Sequence, residues 1–187
     1  FNVTIDLGGG DDTGDILAGT GFSSSLSLLN VEHLTGSTGD DFVSLQNNVS
    51  GLTVDFGAGS NILNLANGSN TLSITNVQNI GGTDFGGTPS DDTLTLLNDV
   101  SGVSINLGQG TNTLNLAAGS NTLNAGFGIS NLNGTALADD LTLGSVFNSI
   151  VNLGAGDDTL HLSAQSFGFT FGYAENGGGV GVLRFQY

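Results

Sequence analysis

A turn rich in Gly, Asn and Asp returns every nine to eleven residues along most of this chain. Between the turns lie short alternating segments such as TLTL (93–96), VSINL (103–107), TLNL (113–116) and TLHL (159–162). Leu, Ile or Val at every second position, with Thr, Asn or Ser between, is the pattern of a half-buried strand. Helical periodicity is absent, and so dense a set of Gly, Asn, Ser and Thr opposes helix. A strand of four or five residues cannot bury its Leu alone. Coiling the chain so that strands stack in parallel, ~4.8 Å apart, gives each Leu a neighbour above and below.

A longer beat overlies the short one. The segments starting at 31, 77 and 129 align with one another. Asp pairs recur at 40–41, 91–92 and 139–140, and GxG turns at 57–59, 108–110 and 154–156, in steps of 46 to 51 residues. IDLGGGDDTGD, from 5, reads as the end of an earlier unit. The expected fold is all-β: a parallel β-solenoid over 1–166, either a two-sided roll or a three-sided helix. Coils of about 20 residues would make roughly nine turns and a rod of ~45 Å. Five strands per long repeat divide evenly by neither two nor three, so the cross-section stays open.

Residues 167–187 differ. FGFTFGY (167–173), a turn at ENGGG and VGVLRFQY (180–187) read as a β-hairpin. Its aromatics would cover the last coil or dock on another subunit, since an open solenoid end exposes strand edge and apolar core. Phe1, Val3 and Ile5 give the first coil a similar need.

Charge narrows the function. Arg184 is the one cationic side chain against 17 acidic residues, a formal net charge of -16. That balance excludes phosphate-based nucleic-acid binding and opposes docking on anionic lipid. No apolar run reaches the ~18 residues that cross a bilayer, so membrane insertion is not expected. The absence of Cys removes disulfides and thiolate metal sites, and fits a cell exterior. No charged and apolar leader follows Phe1; a removed leader, a longer parent chain and export without an N-terminal signal all fit.

Ten of the fifteen Asp form five adjacent pairs: Asp11–Asp12, Asp40–Asp41, Asp91–Asp92, Asp139–Asp140 and Asp157–Asp158. Each pair ends a turn and leads toward a strand. Stacked coils would bring carboxylates together, and two like charges ~5 Å apart cost roughly 1–3 kcal/mol. Carboxylate and carbonyl oxygens without His or Cys suit Ca2+ as the neutralising ion. Asp and Asn before a strand are also ordinary turn residues that bond their own backbone.

LGGGDDT (7–13) and LGAGDDTLHL (153–162) resemble the calcium-binding nonapeptide of the repeats-in-toxin (RTX) family, G-G-x-G-x-D-x-(apolar)-x. The resemblance implies a β-roll in which the sixth-position Asp and turn carbonyls hold Ca2+ between coils. It places Asp12 and Asp158 at that position, and Asp41 in GSTGDDFVSL (36–45), with Asp11, Asp40 and Asp157 beside them. Asp92 and Asp140 follow TPSD and ALAD, which lack the turn glycines. Asn61, Asn70, Asn112 and Asn121 stand where the motif has Asp; a hydrogen-bonded Asn ladder, with calcium confined to Asp-bearing levels, is the expected arrangement there.

Other chemistry finds little support. His33 and His161 lie in strand-like stretches without Ser or Cys partners. A polysaccharide-cleaving site on this fold would need a basic group, and Lys is absent. The GxG turns precede no GK[ST]. Outward Thr and Asn at 93–95, 112–114 and 121–123 are similar to the ranks certain RTX adhesins turn toward ice. The expectation is a non-enzymatic structural protein, secreted or at the cell surface: a calcium-stabilised spacer, adhesin segment, or filament or surface-layer subunit that self-associates end to end. The family resemblance adds bacterial type I secretion. An ice or glycan binder is the alternative, and a carbohydrate-active enzyme a more distant one.

Overall fold

The computed structural model describes residues 2–16, 22–82, 89–119, 121–125, 128–143, 149–162, 170–172 and 182–185. In chain order the strands are β1 (Asn2–Asp6), β2 (Thr13–Asp15), β3 (Phe22–Leu29), β4 (His33–Thr35), β5 (Asp41–Leu45) and β6 (Ser50–Asp55). There follow β7 (Ile62–Asn64), β8 (Thr71–Thr75), β9 (Asn79–Gly81), β10 (Thr93–Leu96), β11 (Ser101–Asn106), β12 (Asn112–Asn115) and β13 (Thr122–Ala125). The last are β14 (Ile129–Thr135), β15 (Asp140–Leu143), β16 (Ile150–Gly154), β17 (Thr159–Leu162), β18 (Thr170–Gly172) and β19 (Val182–Phe185).

Odd-numbered strands form one ten-stranded sheet and even-numbered strands a nine-stranded one. Each described neighbour pair is parallel. The solenoid is therefore two-sided. Each coil lays one strand on each sheet, and the next strand on the same sheet follows about 20 residues later, as Ile62 follows Phe42.

Two sheets explain the indivisible count of five. A unit of five strands advances the coil by two and a half turns, so the same sequence position alternates between sheets. The strand at the recurring pairs 40–41, 91–92 and 139–140 is β5 on the ten-stranded sheet, β10 on the other and β15 back on the first. The unit is thus a screw operation that rotates by half a turn as it climbs.

Side-chain alternation places the core between the sheets. Leu52, Leu72, Leu94, Leu114, Leu132 and Val151 stand in register on the nine-stranded sheet, all buried. Val103, Leu123, Leu141 and Leu160 form a facing column. Parallel in-register stacking makes each Leu pack on its own kind, so volume is conserved from coil to coil.

The hairpin expected over 167–187 is not what its described strands form. β18 pairs in parallel with β16, and β19 in parallel with β17, on opposite sheets. They extend the coil: Phe171 falls in backbone register with Val151 and Leu183 with Leu160. The 166/167 boundary and the aromatic lid lie outside the described residues. Among the described residues no helix is long and apolar enough to cross a membrane.

Candidate metal centre

The turns that join the sheets run along two edges of the roll, and each edge carries a ladder of inward polar side chains. On the edge leading into β5, β7 and β9, the Asp41 backbone N–H donates to Asn61 Oδ1 at 2.8 Å, and that of Asn61 to Gln78 Oε1 at 2.6 Å. On the other edge the Val49 N–H donates to Asn70 Oδ1, that of Asn70 to Asp92 Oδ1, and that of Asp92 to Asn112 Oδ1. Farther along the first edge, the Val100 N–H donates to Asn121 Oδ1 and that of Asp139 to Asp158 Oδ1. The rule is uniform: the side-chain oxygen of one coil takes the turn N–H of the coil before it. These turn N–H groups face inward with no strand partner, and an orphaned one would cost ~1–3 kcal/mol.

Strand phase decides which residue turns inward. Position 139 is two before the buried Leu141, as 41 is two before Val43, 92 before Leu94 and 158 before Leu160. Asp41, Asp92, Asp139 and Asp158 are each 1% exposed. Asp12, two before Gly14, is half-buried.

The other member of each pair, the first in four of them and the second in Asp139–Asp140, lies outside and has different work. Asp40 Oδ1 accepts the Ser60 N–H and Asp91 Oδ1 that of Thr111, each stitching one coil to the next. Asp11 meets His33 Nε2 at 3.0 Å, and Asp140 meets His161 Nε2 at 3.4 Å. Asp157 is exposed. Among the expected ligands, Asp140 is therefore on the outer face, and the inward member of its pair is Asp139. The same alternation that assigns the strand would have identified Asp139, had it been extended back through the turn.

The inward carboxylates fall into two groups by how their oxygens are satisfied. Asp41 Oδ2 accepts the Ser37 N–H at 2.8 Å and Oδ1 the Ser37 hydroxyl at 3.0 Å. Asp139 repeats this with Thr135 N–H and hydroxyl on Oδ2, while Oδ1 accepts the Asn121 amide. Asp92 Oδ1 accepts both the N–H and the amide of Asn70. Asp12 and Asp158 differ: Oδ2 of each is buried without a hydrogen-bond partner. Burial drives the Asp158 carboxyl above its ordinary pKa; the Asp139 N–H on Oδ1 opposes this, and the negative charges of Asp139 and Asp157 add to it.

The inward side chain at each of these two turns offers carboxylate oxygen, the donor that Ca2+ prefers, while the His33 imidazole meets Asp11 on the outer side of the first. Gly10 leaves room beside Asp12, since a Cβ there would stand 3.4 Å from Oδ2. The Asp12 N–H also donates to Glu32 Oε2 at 3.0 Å, which brings a second carboxylate to that turn. Among the described residues no three Asp, Glu or His side chains converge as a ligand set. A cation here would thus be held by one carboxylate, or two at Asp12, together with backbone carbonyls. The unsatisfied atoms at Asp12 and Asp158 fit such an ion; the already saturated Asp41 and Asp139 fit it less. No protein-family model, no curated protein and no solved structure matches the chain.

Proposed function

We propose that this chain is a calcium-stabilised structural rod of the cell exterior, serving as a spacer, an adhesin segment, or a filament or surface-layer subunit joined end to end. The observation that carries the reading is the pair of buried, unpartnered carboxylate oxygens at Asp12 and Asp158, within a fold made of little but coil-to-coil contacts. The likeness of their turns to RTX nonapeptides supports the same ion. External calcium would bind the folded coils and not the loose chain, so binding and folding reinforce one another. Asp12 and Asp158 would hold the ion, which supplies the positive charge their turns lack. Circular dichroism melting of the purified chain in millimolar calcium and in EDTA tests this. A higher melting temperature in calcium is expected, and identical curves would refute the calcium reading.

A second reading is favoured by the outer face of the nine-stranded sheet. Thr71, Thr93, Thr113 and Asn131 stand in register, and beside them Ser73, Thr95, Asn115, Asn133 and Asn152. Asn115 Nδ2 donates to Thr95 Oγ1 and Asn133 Nδ2 to Asn115 Oδ1, which fixes the rank. These ranks are uncharged on a molecule of charge -16. Such a lattice suits an ordered neutral surface, ice or a glycan. Faceted ice growth in dilute protein, lost in T93K/T113K, is the expected result for the ice form; unaltered growth in the parent removes it.

A further inference from the structure

One position recurs once per unit, after each GxG turn: Asp12, Asn61, Asn112 and Asp158. The turns themselves match. Gly8, Gly57, Gly108 and Gly154 each donate their N–H to the side chain two residues back, from Asp6, Asp55, Asn106 and Asn152. The four levels therefore differ chiefly in whether the inward residue is an acid or its amide.

In the two asparagine levels the side-chain amide closes the turn. Asn61 Nδ2 donates to the carbonyls of Asn76 at 2.9 Å and Ala58 at 3.4 Å. Asn112 Nδ2 does the same to Gly128 at 2.7 Å and Leu107 at 3.5 Å. A carboxylate has no hydrogen to give, and at the two aspartate levels the corresponding oxygen is buried without a partner. At Asp158 that carboxylate belongs to a residue only 1% exposed.

The exchange extends to a second residue. The Asn61 N–H donates to Gln78 as the Asp12 N–H donates to Glu32. Asn76 and Asn30 precede those two acceptors by two residues and share the left-handed backbone, φ 56 and 53. Each also donates its amide to the turn carboxylate of its unit, Asp55 or Asp6. The first unit is thus the carboxylate version of the second, Asp12–Glu32 against Asn61–Gln78, on one backbone plan.

We propose that a divalent cation is held only at the Asp12 and Asp158 levels, and that the carboxamides of Asn61 and Asn112 take its place at the two levels between. An amide N–H and a cation both offer positive charge to carbonyl oxygens, so either can complete the turn. This placement rests on the calcium reading above for the identity of the ion. The molecule would carry two metal-dependent levels, one on each edge of the roll and far apart along it, with a metal-independent middle.

The test uses the full chain and variants that copy constellations it already contains. D158N copies Asn112, D12N/E32Q copies the second unit, and N61D/Q78E copies the first. In EDTA, D158N and D12N/E32Q should melt about 2–4 °C above the parent, and N61D/Q78E should melt below it and recover in calcium. Calcium titration calorimetry should give two ions for the parent, one each for D158N and D12N/E32Q, and three for N61D/Q78E. A parent that binds more than two ions, or amide variants that keep both, overturns the placement and leaves the calcium reading standing. A parent that binds none overturns the calcium reading and this placement together. Amide variants that melt at or below the parent in EDTA overturn the equivalence of amide and ion.

Discussion

Asp55 shows how much one exposed carboxylate can do at a turn. Its Oδ1 accepts the Asn76 amide at 2.7 Å and the Gly57 N–H at 2.9 Å, tying one turn to the next coil along the same edge. The Asn76 amide, then the Gly57 N–H, hold its carboxyl below the ordinary aspartate range, against an opposing contribution from burial. A carboxyl held low when folded adds stability above its unfolded pKa and loses it as pH falls through the folded one. Asp55→Ala should therefore destabilise by about 1 kcal/mol near neutrality, discounted for exposure, and the difference from the parent should vanish at strongly acid pH. Urea melts at pH 7 and pH 2 measure both numbers; an equal deficit at both would contradict the charge-based account. Asp158 runs the other way, since a raised carboxyl favours the folded chain below the ordinary aspartate pKa and ceases to do so as pH rises through its folded value.

At the scale of elements, stability resides in columns of like residues. Leu94 is fully buried between Leu72 and Leu114, and its neighbours along the column are backbone-paired. Leu94→Ala should cost about 2–5 kcal/mol, because flanking coils locked by ladder bonds cannot collapse into the gap. Guanidinium unfolding would report it, and a loss under 1 kcal/mol would mean that the columns relax freely. The turns tolerate as little. Gly154 has φ 87, and a Cβ there would run into the Thr135 carbonyl of the coil before it. Strands, turns and core columns were legible in the sequence because a period of two and recurrent Gly–Asx turns are local signals. The two-sided section was not, since a turn of similar length can join either two or three faces. A hydrogen-bonded Asn ladder was legible at Asn61, Asn70, Asn112 and Asn121, but its inward direction was not at Asn112 and Asn121, which the triplets read as outward and the structure buries. Asp139 was concealed by its outward neighbour Asp140, and Glu32 and Gln78 by the unequal distance to the residues they serve, 20 and 17 positions. The C-terminal strands read as a hairpin because two alternating segments around a glycine turn look alike whether they pair with each other or with the coil before.

At the scale of the molecule, the strand-to-strand contacts among the described residues lie between one coil and the next, so the rod has no single centre on which its integrity depends. Stability in such a stack is a sum of coil terms and coil-to-coil terms, and a weak level is felt mainly by its neighbours. Acid residues are tolerated because they are spread over two edges and mostly engaged: Asp40 and Asp91 outside, Asp41, Asp92 and Asp139 inside. The half-turn gained with every five strands also has a genetic meaning. Duplicating or deleting one unit in a chain of this kind would turn everything beyond it to face backwards, while two such events would restore its heading. The number of units, odd or even, thus works as a rotary setting for whatever is attached downstream.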